Sequence, residues 1–294
     1  MRKLMSLALV LLALTACSAP PEAAEAGKTE TLPPLTVQAA LPEAPLCYQV
    51  QAVEWADSAQ TADGSLLAAY CFQLPELTVL RSDGTPLEEG RTPAERQAVA
   101  AAETFNAHFG EWASADDFAA LAAEAEEELA WSRAEGIAWY GGYTLRLTTD
   151  CYQTEHLVSV SGTYCSDAGG AHPNTWRMGW NFDLASGEFF GPEALAADSA
   201  EFQGAMVAEL IRQAEDAAAE HGMAASELYW QDYEDILANW SSYAVFFDEE
   251  GMTVAFSPYE LAPYGFGTQT FTVSYDWLRP HLSQHGREVL GLGG

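Results

Sequence analysis

Basic side chains are scarce in this sequence. Its 294 residues carry 12 Lys plus Arg against 43 Asp plus Glu, a formal net charge of -31. Such a surface repels phosphate backbones and excludes nucleic acid as a partner class, while it attracts and steers cationic partners. Catalytic and nucleotide signatures are missing too. There is no G-x-S-x-G nucleophile elbow, no P-loop, no dinucleotide fingerprint and no helical metal motif of His and Glu. With 43 acids, any carboxylate pair can be chosen, so a glycosidase-type pair carries no information. No cofactor is implied, and no internal repeat is present. The only strongly apolar run, Leu4 to Leu14, is too short to span a bilayer.

That run belongs to an N-terminal targeting signal. Arg2 and Lys3 supply the positive region and Leu14-Thr15-Ala16-Cys17 resembles a bacterial lipobox. The resemblance implies cleavage before Cys17 and acylation of its sulfur. The protein is then exported and lipid-anchored to the outer face of the bacterial cell membrane, since two acyl chains hold where one does not. Residues 18–45, rich in Ala, Glu, Pro and Thr, read as a flexible tether.

Setting Cys17 aside leaves Cys47, Cys71, Cys151 and Cys165. Export favours two disulfides among them, and none sits in a CxxC pair, so zinc ranks below. Three connectivities are open, and pairing of chain neighbours (Cys47 with Cys71, Cys151 with Cys165) is preferred. A tight hairpin between the last two would place their Cα atoms too far apart.

Beyond the tether, 9 Trp, 12 Tyr and 13 Phe are enough aromatics to build a core. The alternation of "CYQVQAVEW" and "SLLAAYCFQL" around "DSAQTADG" predicts a hairpin. Thr92-Pro93-Ala94-Glu95 is a capping box followed by Ala98, Ala102, Phe105, Phe109 and Trp112 at helical spacing. Ser114 opens a second helix, whose "EAEEEL" run is a solvated face. Residues 143–149, 156–162 and "NTWRMGWNFDL" read as strands, the last with Trp176, Met178, Trp180 and Phe182 on one side and Arg177, Gly179, Asn181 and Asp183 on the other. Asp198 caps a long amphipathic helix, and a hairpin turning at Gly251 and a strand "TQTFTVSY" complete the pattern. Strands and helices come in blocks without regular βαβ alternation. This predicts an α+β fold with a mainly antiparallel sheet packed with amphipathic helices, in two parts divided at 140: residues 46–140, residues 141–283, and a tail over 284–294.

Two loops concentrate unusual residues. "DAGGAHPNTW" holds Gly169, Gly170, His172 and Asn174. A catalytic or metal cluster of Asp167, His156 and His172 is one reading. A turn that uses the glycines for positive φ and His172 as a hydrogen-bonding brace is favoured over it. "SPYELAPYGFG" holds Pro258, Tyr259, Glu260, Pro263, Tyr264 and Phe266, a rigid aromatic surface suited to partner binding, unless Tyr259 and Tyr264 turn inward as anchors.

These motifs together, the GGAH element, the "NFDLASGE" strand end and the "YELAPYGFG" loop after a hairpin, resemble the extracellular domain shared by RsiV-type anti-sigma factors and many bacterial lipoproteins, over roughly residues 140–280. Residues 46–140 are more loosely similar to its usual companion domain. The sequence shows neither a sigma-binding region nor a polysaccharide deacetylase domain, so neither role is carried over. The resemblance implies a non-catalytic binding ectodomain, with strongly basic lysozyme as the type of ligand. An envelope glycan is the other expected partner, and an enzyme acting on peptidoglycan the alternative class.

Overall fold

A computed structural model describes residues 46–293. Cys17, the lipobox and the tether lie outside the described residues. The fold is α+β, with a mainly antiparallel six-stranded sheet in the order β1-β2-β3-β4-β5-β6 and a three-stranded sheet β7-β8-β9. The strands are β1 (Cys47–Gln60), β2 (Leu66–Leu80), β3 (Tyr143–Gln153), β4 (Leu157–Asp167), β5 (Asn174–Asp183), β6 (Glu188–Phe189), β7 (Ala244–Phe247), β8 (Gly251–Phe256) and β9 (Gln269–Ser274). The helices are α1 (Pro93–Gly110), α2 (Ala115–Glu135), α3 (Ser199–Glu220) and four short ones: α4 (Ala225–Leu228), α5 (Tyr233–Ala238), α6 (Tyr275–Leu278) and α7 (Gln284–Val289).

The caps form where the sequence places them. Thr92 accepts from the Glu95 amide while the Glu95 carboxylate accepts from the Thr92 amide, and Ser114 and Asp198 cap α2 and α3 through their side chains. Such caps contribute about 1 kcal/mol each.

Among the described residues the only parallel pair is β2–β3, with Cys71 opposite Arg146, and the crossover it needs runs through α1 and α2. This pairing crosses residue 140. The two expected parts therefore share one sheet, and residues 46–293 fall within one compact unit. The expected tail contains α7, which packs so closely that a Cβ on Gly286 would lie 2.2 Å from the Leu195 carbonyl oxygen.

The alternation in β3–β5 sorts two faces. Leu147, Val158, Val160 and Phe182 pack under Ala98, Ala102, Phe105 and Phe109 of α1. The second core joins Phe202, Met206, Leu210 and Ala214 of α3 to Met252, Val254, Phe271 and Val273 of the small sheet. Between the cores, the free edge of β7 rests on the polar face of β4 and β5. The Asn181 amide donates to the Val245 carbonyl (2.9 Å), the Phe247 amide donates to the Ser159 hydroxyl (2.7 Å), and Ser159 donates to Asn181 (2.8 Å). The unpaired backbone groups of an edge strand are thereby satisfied inside the protein.

The register corrects the preferred cysteine pairing. Cys47 stands opposite Leu80 while Cys71 stands opposite Ala56, nine residues further along β1, or about 30 Å at strand rise. Cys151 stands opposite Val160, five residues short of Cys165, or about 17 Å. A bridge needs Cα atoms within about 7 Å, and all four thiols are free.

His108 tests the first core. Its ring lies 4.4 Å from Phe189 and 5.1 Å from Phe109, and its Nε2 is buried without a partner. Burial holds its pKa below the ordinary value, against the weaker pull of Glu111. A folded-state pKa below the unfolded one means that the neutral ring's contribution is full above about pH 6.5 and is lost as pH falls through the folded value. His108→Leu is therefore expected to lose less stability than the parent between pH 7 and pH 5, measured by urea unfolding at each pH.

Candidate functional site

The two unusual loops, far apart in sequence, meet at one end of the large sheet. The β4–β5 connection carries Gly169, Gly170 and His172, and the β8–β9 connection carries Pro258 to Phe266. His172 stacks on Tyr264, centroids 3.7 Å apart and planes 13° from parallel. Its Nε2 lies 3.3 Å from the Tyr259 hydroxyl and its Nδ1 lies 3.1 Å from the Pro173 carbonyl oxygen. Tyr259 and Tyr264 are themselves 5.4 Å apart. A cavity of about 280 Å³ opens beside them, lined also by Asn174, Thr175, Trp176 and Glu260.

The backbone of this site is held from several directions. Buried Ser257 accepts through its hydroxyl from the Arg177 amide (2.9 Å), which ties the loop to β5. Its own amide donates to the Glu260 carboxylate, so Glu260 braces the loop as well as lining the cavity. Leu261 and Ala262 are buried, and the Trp230 indole donates to the Tyr259 carbonyl (2.9 Å). Tyr259 takes φ 75°, the one positive φ outside glycine among the described residues. Such a conformation costs on the order of 1–3 kcal/mol and persists only where its surroundings enforce it.

The outcome for the aromatic loop is divided. Tyr264 turns onto His172, whereas Tyr259 is 55% exposed and Phe266 46% exposed. Pro258 lines the cavity, while Pro263 opens the short helical turn Tyr264–Phe266 and does not. Sequence reasoning missed Trp176 and Trp230 as members of the site. Trp176 shares the side of Met178 and Trp180 but lies at the strand's outer end, where it stays 41% exposed and rests on Tyr164 at 5.6 Å. Alternation shows which side a residue takes, not where the covering helices stop.

The two glycines of the turn are not equivalent. Gly169 takes φ 76° and a Cβ there would lie 2.2 Å from the Tyr140 ring, whereas Gly170 has negative φ and its nearest obstacle is 3.7 Å away. The expected need for positive φ thus holds at Gly169 alone. Gly169→Ala is expected to cost about 1–2 kcal/mol and Gly170→Ala less than about 0.5 kcal/mol in chemical unfolding.

Chemically, the site offers flat aromatic faces, one imidazole and few free polar groups. His156 and Asp167 do not join His172: the His156 backbone bonds Thr154 and Leu184, and the Asp167 carboxylate accepts from the Gly169 amide (2.9 Å). Among the described residues, no three His, Cys, Asp or Glu side chains stand together as a metal site, and no helix is long and apolar enough to cross a membrane.

Comparison with known proteins is consistent with this fold and silent on chemistry. No curated protein matches the chain. A crystal structure of a member of the DUF3298 family from Bacteroides fragilis is similar in fold, with TM-score 0.52 and 12% identity over 83% of this chain and 97% of that one. A DUF3298 family protein from Pseudomonas aeruginosa gives TM-score 0.48 and 15% identity over 82% and 96%. Residues 193–276, from the approach to α3 through β9 and including the aromatic loop but not His172, match the family model described as "Protein of unknown function (DUF3298)".

Proposed function

We propose that this protein is an exported, lipid-anchored bacterial surface protein whose ectodomain binds without catalysis. Its partner is a cationic cell-wall-active protein, lysozyme being the type, and the contact surface is the aromatic cluster of Tyr259, Tyr264, Phe266 and Trp176. The observation that carries this reading is the preorganised exposure of Tyr259. An outward tyrosine on a strained backbone, braced by Trp230, Ser257 and His172, presents apolar area at low entropic cost. The net charge of -31 supplies the attraction for a basic partner. The lipobox and the motif resemblance support the location and the class of ligand.

The experiment is a titration of the soluble ectodomain, residues 46–294, with lysozyme at low salt and near physiological salt. Residues 46–293 fall within one compact unit, which makes this ectodomain the natural fragment to produce. Binding that persists at about 0.15 M salt supports specific recognition, because exposed charges are screened beyond about 8 Å there. Binding that vanishes with salt overturns the lysozyme reading and turns the search to envelope glycans.

A further inference from the structure

A second group of aromatic side chains lines a cavity where α1 gives way to α2. The cavity, of about 360 Å³, opens between the helix junction and the sheet, walled by Tyr70, Phe72, Trp112, Phe118 and Tyr164. The rings form walls and not a single stack. Phe118 meets Tyr70 at 81° with centroids 4.9 Å apart, Trp112 meets Phe72 at 83° and 6.2 Å, and Trp112 meets Tyr164 at 59° and 5.6 Å. Leu121, Leu145 and Ser114 also line it, Glu111 and Asp117, both exposed, add two carboxylates, and no basic side chain contributes. Aromatic faces carry negative potential, and several converging faces with carboxylates at the rim bind a cation too large and too weakly hydrated to prefer water.

We propose that this pocket binds a small quaternary ammonium compound of the choline type. An ordinary metal ion finds no oxygen cage here, and an anion meets two carboxylates and a protein of net charge -31. A neutral apolar ligand fits the walls but makes no use of Glu111 and Asp117. The volume falls within the range of small-ligand sites and accommodates a trimethylammonium head with a short substituent. This site is separate from the His172 cluster, and its test is independent of the lysozyme titration.

The test is titration of the full chain with choline chloride, read by Trp112-dependent fluorescence and by calorimetry at ionic strength held constant with NaCl. The uncharged isostere 3,3-dimethylbutanol is the comparison ligand. The expected result is saturable choline binding, at least about tenfold weaker binding of the isostere, and a several-fold loss of choline affinity in the Glu111→Gln, Asp117→Asn variant with isostere binding unchanged. Both substituted residues are exposed, so folding is retained. Trp112→Leu is expected to remove the fluorescence response together with the calorimetric one. Equal binding of choline and isostere, no saturable choline binding up to about 100 mM, or unchanged choline affinity in the charge variant overturns the proposal.

Discussion

Replacing Gly179 by alanine is expected to lower stability by about 3 kcal/mol or more. Gly179 lies on the polar side of β5, where β7 comes to rest. A Cβ built there lies 2.4 Å from the Val245 carbonyl oxygen and 2.7 Å from the Val245 nitrogen. Both obstacles are backbone, so no side chain can swing aside. Relief requires β7 to lift off the large sheet, which breaks the bonds that satisfy its free edge. Gly204→Ala is the matched control. It sits within α3 with nothing within 4 Å of a new Cβ, and is expected to gain up to about 1 kcal/mol from helix propensity. For a domain of this size, a loss of 3 kcal/mol lowers Tm by roughly 6–12 °C, which differential scanning calorimetry resolves.

Asn181→Leu is expected to cost on the order of 3 kcal/mol through a different cause. Leucine keeps the branched outline of asparagine at a larger volume, and it leaves the Val245 carbonyl without its donor and the Ser159 hydroxyl without its acceptor. Both partners are at a buried site, where each unsatisfied group costs about 1–3 kcal/mol. Ser159→Ala removes only the acceptor of the Phe247 amide and the second bond to Asn181, so its expected loss is smaller, about 1–2 kcal/mol. Because the two residues share one network, the double variant is expected to lose less than the sum of the single losses, as a double-mutant cycle in urea measures.

These two positions also show what the sequence could and could not convey. The caps at Thr92, Ser114 and Asp198 and the hairpin turning at Gly251 are signals of neighbouring residues, and they locate elements well. The alternation in β5 correctly separates the Trp176 row from the Arg177 row. It does not reveal that Gly179 and Asn181 in the polar row are covered by β7, which joins from more than 60 residues away, or that Asp183 is buried beside His285 of α7. The parallel β2–β3 pair is hidden for the same reason: its crossover consists of two helices whose own signals point only to themselves. The cysteine distances depend on that register and could not be read before it was known.

At the candidate site, the composition of both loops stands out in the sequence, but their meeting does not. His172 and Tyr259 are separated by 87 positions, and only the tertiary fold stacks His172 on Tyr264. Trp230 is likewise unremarked in sequence, because its role is a single hydrogen bond to a carbonyl at a backbone position whose strain no residue type announces.

The central claim, that the braced aromatic cluster is a recognition surface, is tested most directly by comparing lysozyme affinity of the parent ectodomain and of Tyr264→Ala at about 0.15 M salt. Removing the ring that stacks on His172 frees the turn and deletes contact area without altering net charge. The account predicts salt-resistant binding by the parent and at least a tenfold loss in the variant, about 1.4 kcal/mol. Equal affinity of the two proteins, or binding by neither, would contradict it.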